Sequence, residues 1–321
     1  MLSINTNAAA MTALKSLQQT NAALETTQNR ISTGLAVSDA SDNAAYWSIA
    51  TTMRSDNKAL DTVNDALGLG KAKVDVAYTG LNSSIEVVDE IKSKLVAARE
   101  PGVDRDKIQS EIGELQNQLQ SIASSASFSG ENWLNFNGSG DTKEVVASFT
   151  RDSAGAVSVG TISITIDNIK LIGDDGAGSP ANDGILNTVN NFGTGGGAID
   201  ISTLAIDIST ATLTDAAIDT ASSGATFTDI LDDMISSVDT ALTSMTTAAS
   251  DLGASKSRID MQAEFVGNLM DAIDRGVGTL VDADMTKEST RLSALQTQQQ
   301  LGTQALSIAN SSSQSILSLF R

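Results

Sequence analysis

The chain has 321 residues, 39 acidic and 20 basic side chains and a formal net charge of -19, with neither Cys nor His. These counts exclude disulfides, Cys/His metal centres, a thiol nucleophile and an imidazole base. The acidic balance, without any cluster of Lys and Arg, argues against nucleic-acid partners and anionic membranes.

The first 38 residues hold three charged side chains, Lys15, Glu25 and Arg30. Apolar residues recur every seven positions in this segment, with Leu14, Asn21 and Gln28 between them: Ala10, Leu17, Leu24 and Ile31. The spacing predicts an amphipathic helix with a half-polar seam. Residues 1–7 lack the basic and apolar regions of a signal peptide, so we expect export without a cleaved signal.

The next segment shows the period of a helical bundle. Apolar or small residues recur at alternating steps of three and four from Val63 to Ala98, and Pro101-Gly102 interrupts them. Asp104 is a predicted N-cap for a second helix that ends near Ala126. Tyr46, Trp47 and Trp133 are expected to anchor the core, because large aromatic side chains usually do so.

The middle of the chain, residues 141–224, is rich in Gly and Asp, and its apolar residues alternate. Alternation predicts short strands, with a hairpin turn at residues 152–155 between strands at 145–149 and 157–166. A further strand is predicted at residues 199–208, after the glycine-rich loop 193–197.

After this segment the bundle period returns between Ile230 and Ile273, and residues 292–320 carry no charge. No run of about 20 apolar residues occurs there, so a membrane span is excluded. The C-terminal segment instead predicts a second thinly apolar helix. Two such helices would be marginal alone and need partner subunits.

No residue pattern predicts catalysis, a metal site or a cofactor site. Acid pairs such as Asp174-Asp175 and Asp232-Asp233 could in principle act as a glycosidase acid and base, but adjacent acids are ordinary surface in so acidic a chain. The oxygen spacing of a calcium loop is missing, and a strand pattern rather than a helix follows the glycine run. The prediction is therefore a protein that is not an enzyme.

At both ends the sequence resembles the bacterial flagellins, in particular those of alphaproteobacteria. The motifs that carry the resemblance are Ile4-Asn5-Thr6-Asn7, residues 28–34, residues 40–45, the Ser127–Gly130 turn and residues 298–321. The resemblance covers about three quarters of the chain and implies a mainly α fold: a long antiparallel bundle made by both chain ends, with a small β-rich insertion. It assigns residues 1–38 and 286–321 to an inner tube, 39–140 and 225–285 to the bundle, and 141–224 to a surface-exposed outer segment.

The resemblance implies a subunit that polymerises with copies of itself, and with sister flagellins, into an extracellular filament for swimming. Its further implied partners are the export apparatus, an export chaperone, the filament cap and the hook-junction proteins. The expected polymerisation interface comprises two sets. In one set Leu14, Leu17, Leu24 and Ile31 pack against Leu295, Leu306, Ile316 and Phe320; in the other, bundle faces around Arg30, Asp42, Arg54 and Asp56 meet neighbouring copies.

One departure from the family pattern concerns residues 88–95, where mammalian innate receptors read a basic surface in other flagellins. Here Asp89 and Glu90 precede Lys92, so the surface is acidic. The expectation is weak recognition by that receptor.

Two alternatives share some of these features. A hook-filament junction protein would have the same two-ended helical plan in few copies. A secreted monomeric helical binding protein would instead use residues 141–224 as its active face.

Overall fold

A computed structural model describes residues 7–136, 141–152, 154–174, 180–181, 184–187, 190–192, 199–201, 203–209 and 227–318. The chain divides into two compact units, one of residues 1–59 with 268–321 and one of residues 60–267. These limits differ from the predicted boundaries near residues 38 and 286, so the division into a tube and a bundle domain stays a prediction.

Five helices dominate the described chain, as the periodicity predicts: α1 (Ala8–Thr33), α2 (Ala44–Ala98), α3 (Arg105–Ser125), α4 (Phe227–Val281) and α5 (Met285–Ser318). Polar side chains cap the N-termini of α1, α3 and α5. The Asn7 side chain accepts a hydrogen bond from the Ala10 amide (3.0 Å), and Asp284 accepts from the Thr286 amide (3.0 Å). Gly34 ends α1 in the left-handed conformation, with φ +73°, where a side chain would be strained. The predicted cap at Asp104 is confirmed, because its side chain accepts from the Lys107 amide.

In the unit of residues 60–267, α2 and α4 run antiparallel with the predicted apolar positions buried. Ion pairs join the two helices in a constant register: Lys71–Asp260, Asp75–Lys256, Lys92–Asp239 and Arg99–Asp232. The 21-residue step from Lys71 to Lys92 along α2 matches the step back from Asp260 to Asp239 along α4. These exposed pairs contribute little energy each, but they identify one alignment of the helices.

Between α3 and α4 the described strands are short except for one hairpin. They are β1 (Ser127–Phe128), β2 (Glu131–Asn132), β3 (Asn135–Phe136), β4 (Thr142–Arg151), β5 (Val157–Thr165), β6 (Ile172–Asp174), β7 (Pro180–Ala181), β8 (Asn190–Phe192) and β9 (Ile199–Ile201). The predicted hairpin is confirmed as the antiparallel pair β4–β5. Asp152 shapes its turn by accepting hydrogen bonds from the Ala154 and Ala156 amides.

Two details of the sequence interpretation are wrong. Tyr46 and Trp47 are exposed on the first turns of α2, whereas Trp133 is buried as expected. The strand predicted at 199–208 ends at Ile201, and a turn of 3₁₀-helix follows at Thr203–Ala205. The glycine run 193–197 lies outside the described residues.

In the other unit, α1 packs antiparallel to α5. The segments next to these helices are joined by backbone hydrogen bonds from Ala36 to Val281 and from Ala283 to Gly34. A small apolar core of Val37, Ala50, Val277 and Val281 lies beside this connection. The bonds and the core fix where α1 ends and α5 begins.

Candidate assembly surface

The seam between α1 and α5 is made of small and aliphatic side chains at alternating steps of three and four. On α1 the half-buried or buried positions are Ala10, Ala13, Leu17, Thr20, Leu24, Thr27 and Ile31, flanked by the half-buried Ala23 and Arg30, and on α5 they are Glu288, Leu292, Leu295, Gln299, Gly302, Leu306 and Ala309. The two helices lie so close together that some seam positions require small residues. A Cβ atom on Gly302 would lie 3.2 Å from Leu17 Cδ1.

Three polar contacts also cross this seam. The Asn7 side chain donates to the Ala309 carbonyl oxygen (2.9 Å), and Gln299 donates to Asn21 Oδ1 (2.8 Å). Near the other end of α1, Arg30 Nη1 lies 3.5 Å from Glu288 Oε1. These contacts run down the pair in antiparallel order, as the fold requires.

Glu288 is buried, with 6% of its surface exposed. Neither its Oε2 atom nor Arg30 Nε has a hydrogen-bond partner within the described part of the chain, although both atoms are buried. The Arg30 side chain is 30% exposed, so the pair is buried at its Glu288 end, and a buried charge with unpaired atoms is costly compared with an apolar contact. The seam thus contains one energetically costly polar contact among many apolar contacts.

The carboxylate of Asp42 also interacts electrostatically with Arg30. Its Oδ2 accepts hydrogen bonds from the Ser38 amide (3.0 Å), the Ser38 hydroxyl (3.1 Å) and the Asp39 amide (3.3 Å). The bonds from the Ser38 and Asp39 amides, then that from the hydroxyl, hold the pKa of the carboxyl below its ordinary value, and the Arg30 charge acts in the same direction. Asp42 therefore stays ionised and keeps the turn before α2 closed.

The faces of α1 and α5 that point away from the seam carry large apolar side chains in contact with solvent. The exposed fractions are 61% for Met11, 45% for Leu14, 58% for Leu301 and 68% for Ile308. Single exposed apolar residues are ordinary, but here four lie on two adjacent helices. We call these four residues the outer apolar face.

The structure brings together only part of the expected intrachain set. Leu17, Leu24, Ile31, Leu295 and Leu306 lie on the seam, whereas Leu14 lies on the outer apolar face and Asn21 and Gln28 are exposed. The side chains of Ile316 and Phe320 lie outside the described residues. Arg54 is exposed and Asp56 is half-buried on α2.

Sequence reasoning missed Ala13, Thr20, Thr27 and Glu288 as seam residues. The predicted repeat of Ala10, Leu17, Leu24 and Ile31 lies on the seam. The intervening seam positions are Ala13, Thr20 and Thr27 instead of Leu14, Asn21 and Gln28, because a close helix pair selects small neighbours. Extending the repeat of Leu295 back by seven residues would have identified Glu288. Glu288 fits the repeat, but a charged residue is not expected at a buried position.

The expected receptor surface lies on α2. Asp89 and Glu90 are exposed, while Lys92 pairs with Asp239. Lys94, next along the helix, lies 2.8 Å from Glu111 and 3.5 Å from Glu90, which raises its pKa. Both lysines face carboxylates, so the surface is more acidic than a count of charges indicates. Weak receptor recognition stays a prediction.

No helix among the described residues is long and apolar enough to cross a membrane. Within the same residues, no three carboxylates lie close enough together to hold a metal ion.

Comparison with known proteins agrees with this arrangement. Residues 4–139 match the family model of the bacterial flagellin N-terminal helical region, and residues 235–320 match that of the C-terminal helical region. The chain is 54% identical to flagellin C of Rhizobium meliloti strain 1021 over 328 residues, with both chains covered in full. It is 47% identical to flagellin A of that strain and 48% identical to a flagellin of Brucella melitensis, again with complete coverage of both chains.

Proposed function

The chain belongs to the bacterial flagellin family and is a structural subunit of the flagellar filament rather than an enzyme, and we propose that its copies join through the outer apolar face. The exposure of Met11, Leu14, Leu301 and Ile308 carries this proposal. Covering one such side chain stabilises an assembly by about 1.5–3 kcal/mol when the side chain becomes fully buried. No charge in residues 292–320 opposes that burial.

We further propose a second set of contacts between copies on the first turns of α2 and the adjoining loop, around Arg30, Asp42, Arg54 and Asp56. The exposed Arg54 and the exposed aromatic pair Tyr46-Trp47 support this surface, since aromatic residues and Arg are enriched at protein interfaces. Ile316 and Phe320 are proposed to belong to the first set as well.

We propose that the domain roles, the export route and the partners of this chain are those of the flagellin family. Residues 1–38 with 286–321 form the tube, 39–140 with 225–285 the bundle and 141–224 the outer segment; the two family models leave residues 140–234 unmatched between them. The subunit leaves the cell through the flagellar export apparatus with a chaperone. At the growing filament it meets cap and hook-junction proteins and sister flagellins.

The test compares Ile308→Gln with Val157→Gln, a matched loss of an exposed apolar side chain on β5 in the proposed outer segment. Purified subunits are added to filament seeds, and elongation is followed by electron microscopy and far-UV circular dichroism. We expect Ile308→Gln to raise the critical concentration for elongation about tenfold or more, which corresponds to at least about 1.4 kcal/mol. Val157→Gln should elongate like the parent chain.

The soluble Ile308→Gln protein should unfold at the parent temperature, because the side chain is already exposed in one chain. Normal elongation of Ile308→Gln, or an equal defect in Val157→Gln, would contradict the proposed surface.

A further inference from the structure

We propose that the Arg30–Glu288 ion pair selects the register in which α1 packs against α5. This inference rests on the proposed function, because the register of this pair sets which side chains of the outer apolar face stand beside one another. Its evidence comes from the seam itself.

The apolar residues of the seam do not specify a single alignment. Leu17, Leu24 and Ile31 repeat every seven residues, so a slip of one heptad again places an aliphatic side chain where another stood. The facing helix is equally tolerant, since its repeat contains Gly302 and Ala309, which accept neighbours of different size. Slipped alignments would therefore bury similar apolar surface.

The ion pair is the charged contact of the seam that does not repeat. Arg30 is the single Arg of α1 and Glu288 the single acidic residue of α5. A slip of one heptad in one direction places Arg30 opposite Leu295, and a slip in the other places Glu288 opposite Ala23. Either slip removes the counter-charge from the buried Glu288 carboxylate and from the half-buried Arg30 guanidinium, which is unfavourable.

The unpaired buried atoms, Arg30 Nε and Glu288 Oε2, support a role in specificity over one in stability. A pair selected for stability alone would be expected to have its remaining atoms satisfied or to be replaced by apolar residues.

One competing cause lies nearby. The backbone bonds from Ala283 to Gly34 and from Ala36 to Val281 tie the helix ends together. If those bonds alone set the register, removing the ion pair would leave the alignment unchanged. The experiment separates these causes.

The absence of Cys from the chain makes disulfide formation a direct reporter of register. A Cβ atom on Gly302 would lie 3.9 Å from Leu17 Cβ, within the range for a disulfide. Leu17→Cys with Gly302→Cys therefore reports the observed register. Ala10→Cys or Leu24→Cys with Gly302→Cys reports a slip of one heptad in either direction.

Each reporter is placed in the full chain, diluted into an excess of the parent protein and assembled on seeds, so that linkage occurs within one copy. The same chains are oxidised in solution, and peptide mass spectrometry quantifies each disulfide. In the parent background we expect the 17–302 disulfide. In Arg30→Met with Glu288→Met we expect the slipped disulfides to rise about tenfold or more.

Two controls accompany this variant. Lys15→Met with Glu25→Met removes two exposed charges from α1 and should leave the disulfides unchanged. Exchanging the charges, Arg30→Glu with Glu288→Arg, should restore the 17–302 disulfide only in part, because Glu at position 30 would face Asp42.

A double Met variant that forms only the 17–302 disulfide would overturn the inference and assign the register to the backbone bonds. If the reporter chain with Leu17→Cys, Gly302→Cys and the native ion pair formed no disulfide in solution or in filaments, the helix pairing would be overturned as well. Formation of the disulfide without filament growth would instead count against the proposed function alone.

Discussion

Asp42 shows how one carboxylate can hold a turn. Three hydrogen bonds from Ser38 and Asp39 converge on its Oδ2 and, with Arg30, lower its pKa in the folded chain below the ordinary value of 3.8. A lowered folded pKa means that the contribution to stability is complete above the unfolded pKa and is lost as pH falls through the folded one.

Asp42→Asn should therefore destabilise the protein at pH 7, where the ionised carboxylate is the stronger acceptor. The difference in free energy of unfolding between parent and variant should shrink as pH falls below about 4, because the parent carboxylate then becomes protonated. Urea unfolding at a series of pH values measures it. Asp39→Asn, a neighbouring exposed acid, is the control. A constant difference down to pH 2 would refute the assignment.

Strand β4 lies very close to helix α2 at Gly70. A Cβ atom on Gly70 would stand 2.3 Å from Val145 Cγ1 and 2.8 Å from Cγ2. Gly68, two residues earlier on the same helix, has nothing within 4 Å of the corresponding point. The two glycines thus share a helix but not an environment.

Gly70→Ala should destabilise the protein, because overpacking costs about 1–3 kcal/mol and exceeds the gain of about 1 kcal/mol in helix propensity. Gly68→Ala should be stabilising by up to about 1 kcal/mol for the propensity alone. Adding Val145→Ala to Gly70→Ala should recover part of the loss. Thermal unfolding of the four chains measures this, and equal effects at both glycines would disprove the close contact.

The elements differ in how far sequence reveals them. The burial period of α2 and α4, the break at Pro101-Gly102 and the β4–β5 hairpin are local patterns, and each was predictable. On α1 the predicted positions Ala10, Leu17, Leu24 and Ile31 lie on the seam, whereas the intervening positions fall one residue earlier than predicted, at Ala13 instead of Leu14, since close packing selects the smaller side chain. The exposure of Tyr46 and Trp47 depends on tertiary context that no local pattern contains.

The candidate site shows the same limit. Its general location at both ends of the chain was predictable from the scarcity of charge and the seven-residue repeat. The burial of Glu288 was not, because a carboxylate is ordinarily exposed. Only the approach of Arg30 from the opposite end of the sequence makes that position acceptable.

On the scale of the whole molecule, the net charge of -19 opposes any assembly of identical copies. Raising sodium chloride from about 10 mM to about 150 mM shortens the screening length from about 30 Å to about 8 Å. We therefore expect the critical concentration for seeded elongation to fall over this range. Sedimentation of polymer from subunit measures it.

The fall should level off above physiological ionic strength, where screening is nearly complete. A continued fall in concentrated salt would indicate salting-out of apolar surface in place of screening. No dependence on salt at all would mean that the acidic side chains lie too far from one another in the filament to interact.

The pairing of α1 with α5 joins an N-terminal helix of the chain to a C-terminal one. A copy cut by proteolysis or premature termination before α5 leaves α1 without its seam partner and lacks Leu301 and Ile308 of the outer apolar face. If that face joins copies as proposed, such a copy should be excluded from the polymer. The fold would then contain its own proofreading step, because a copy without α5 has only part of the contact surface.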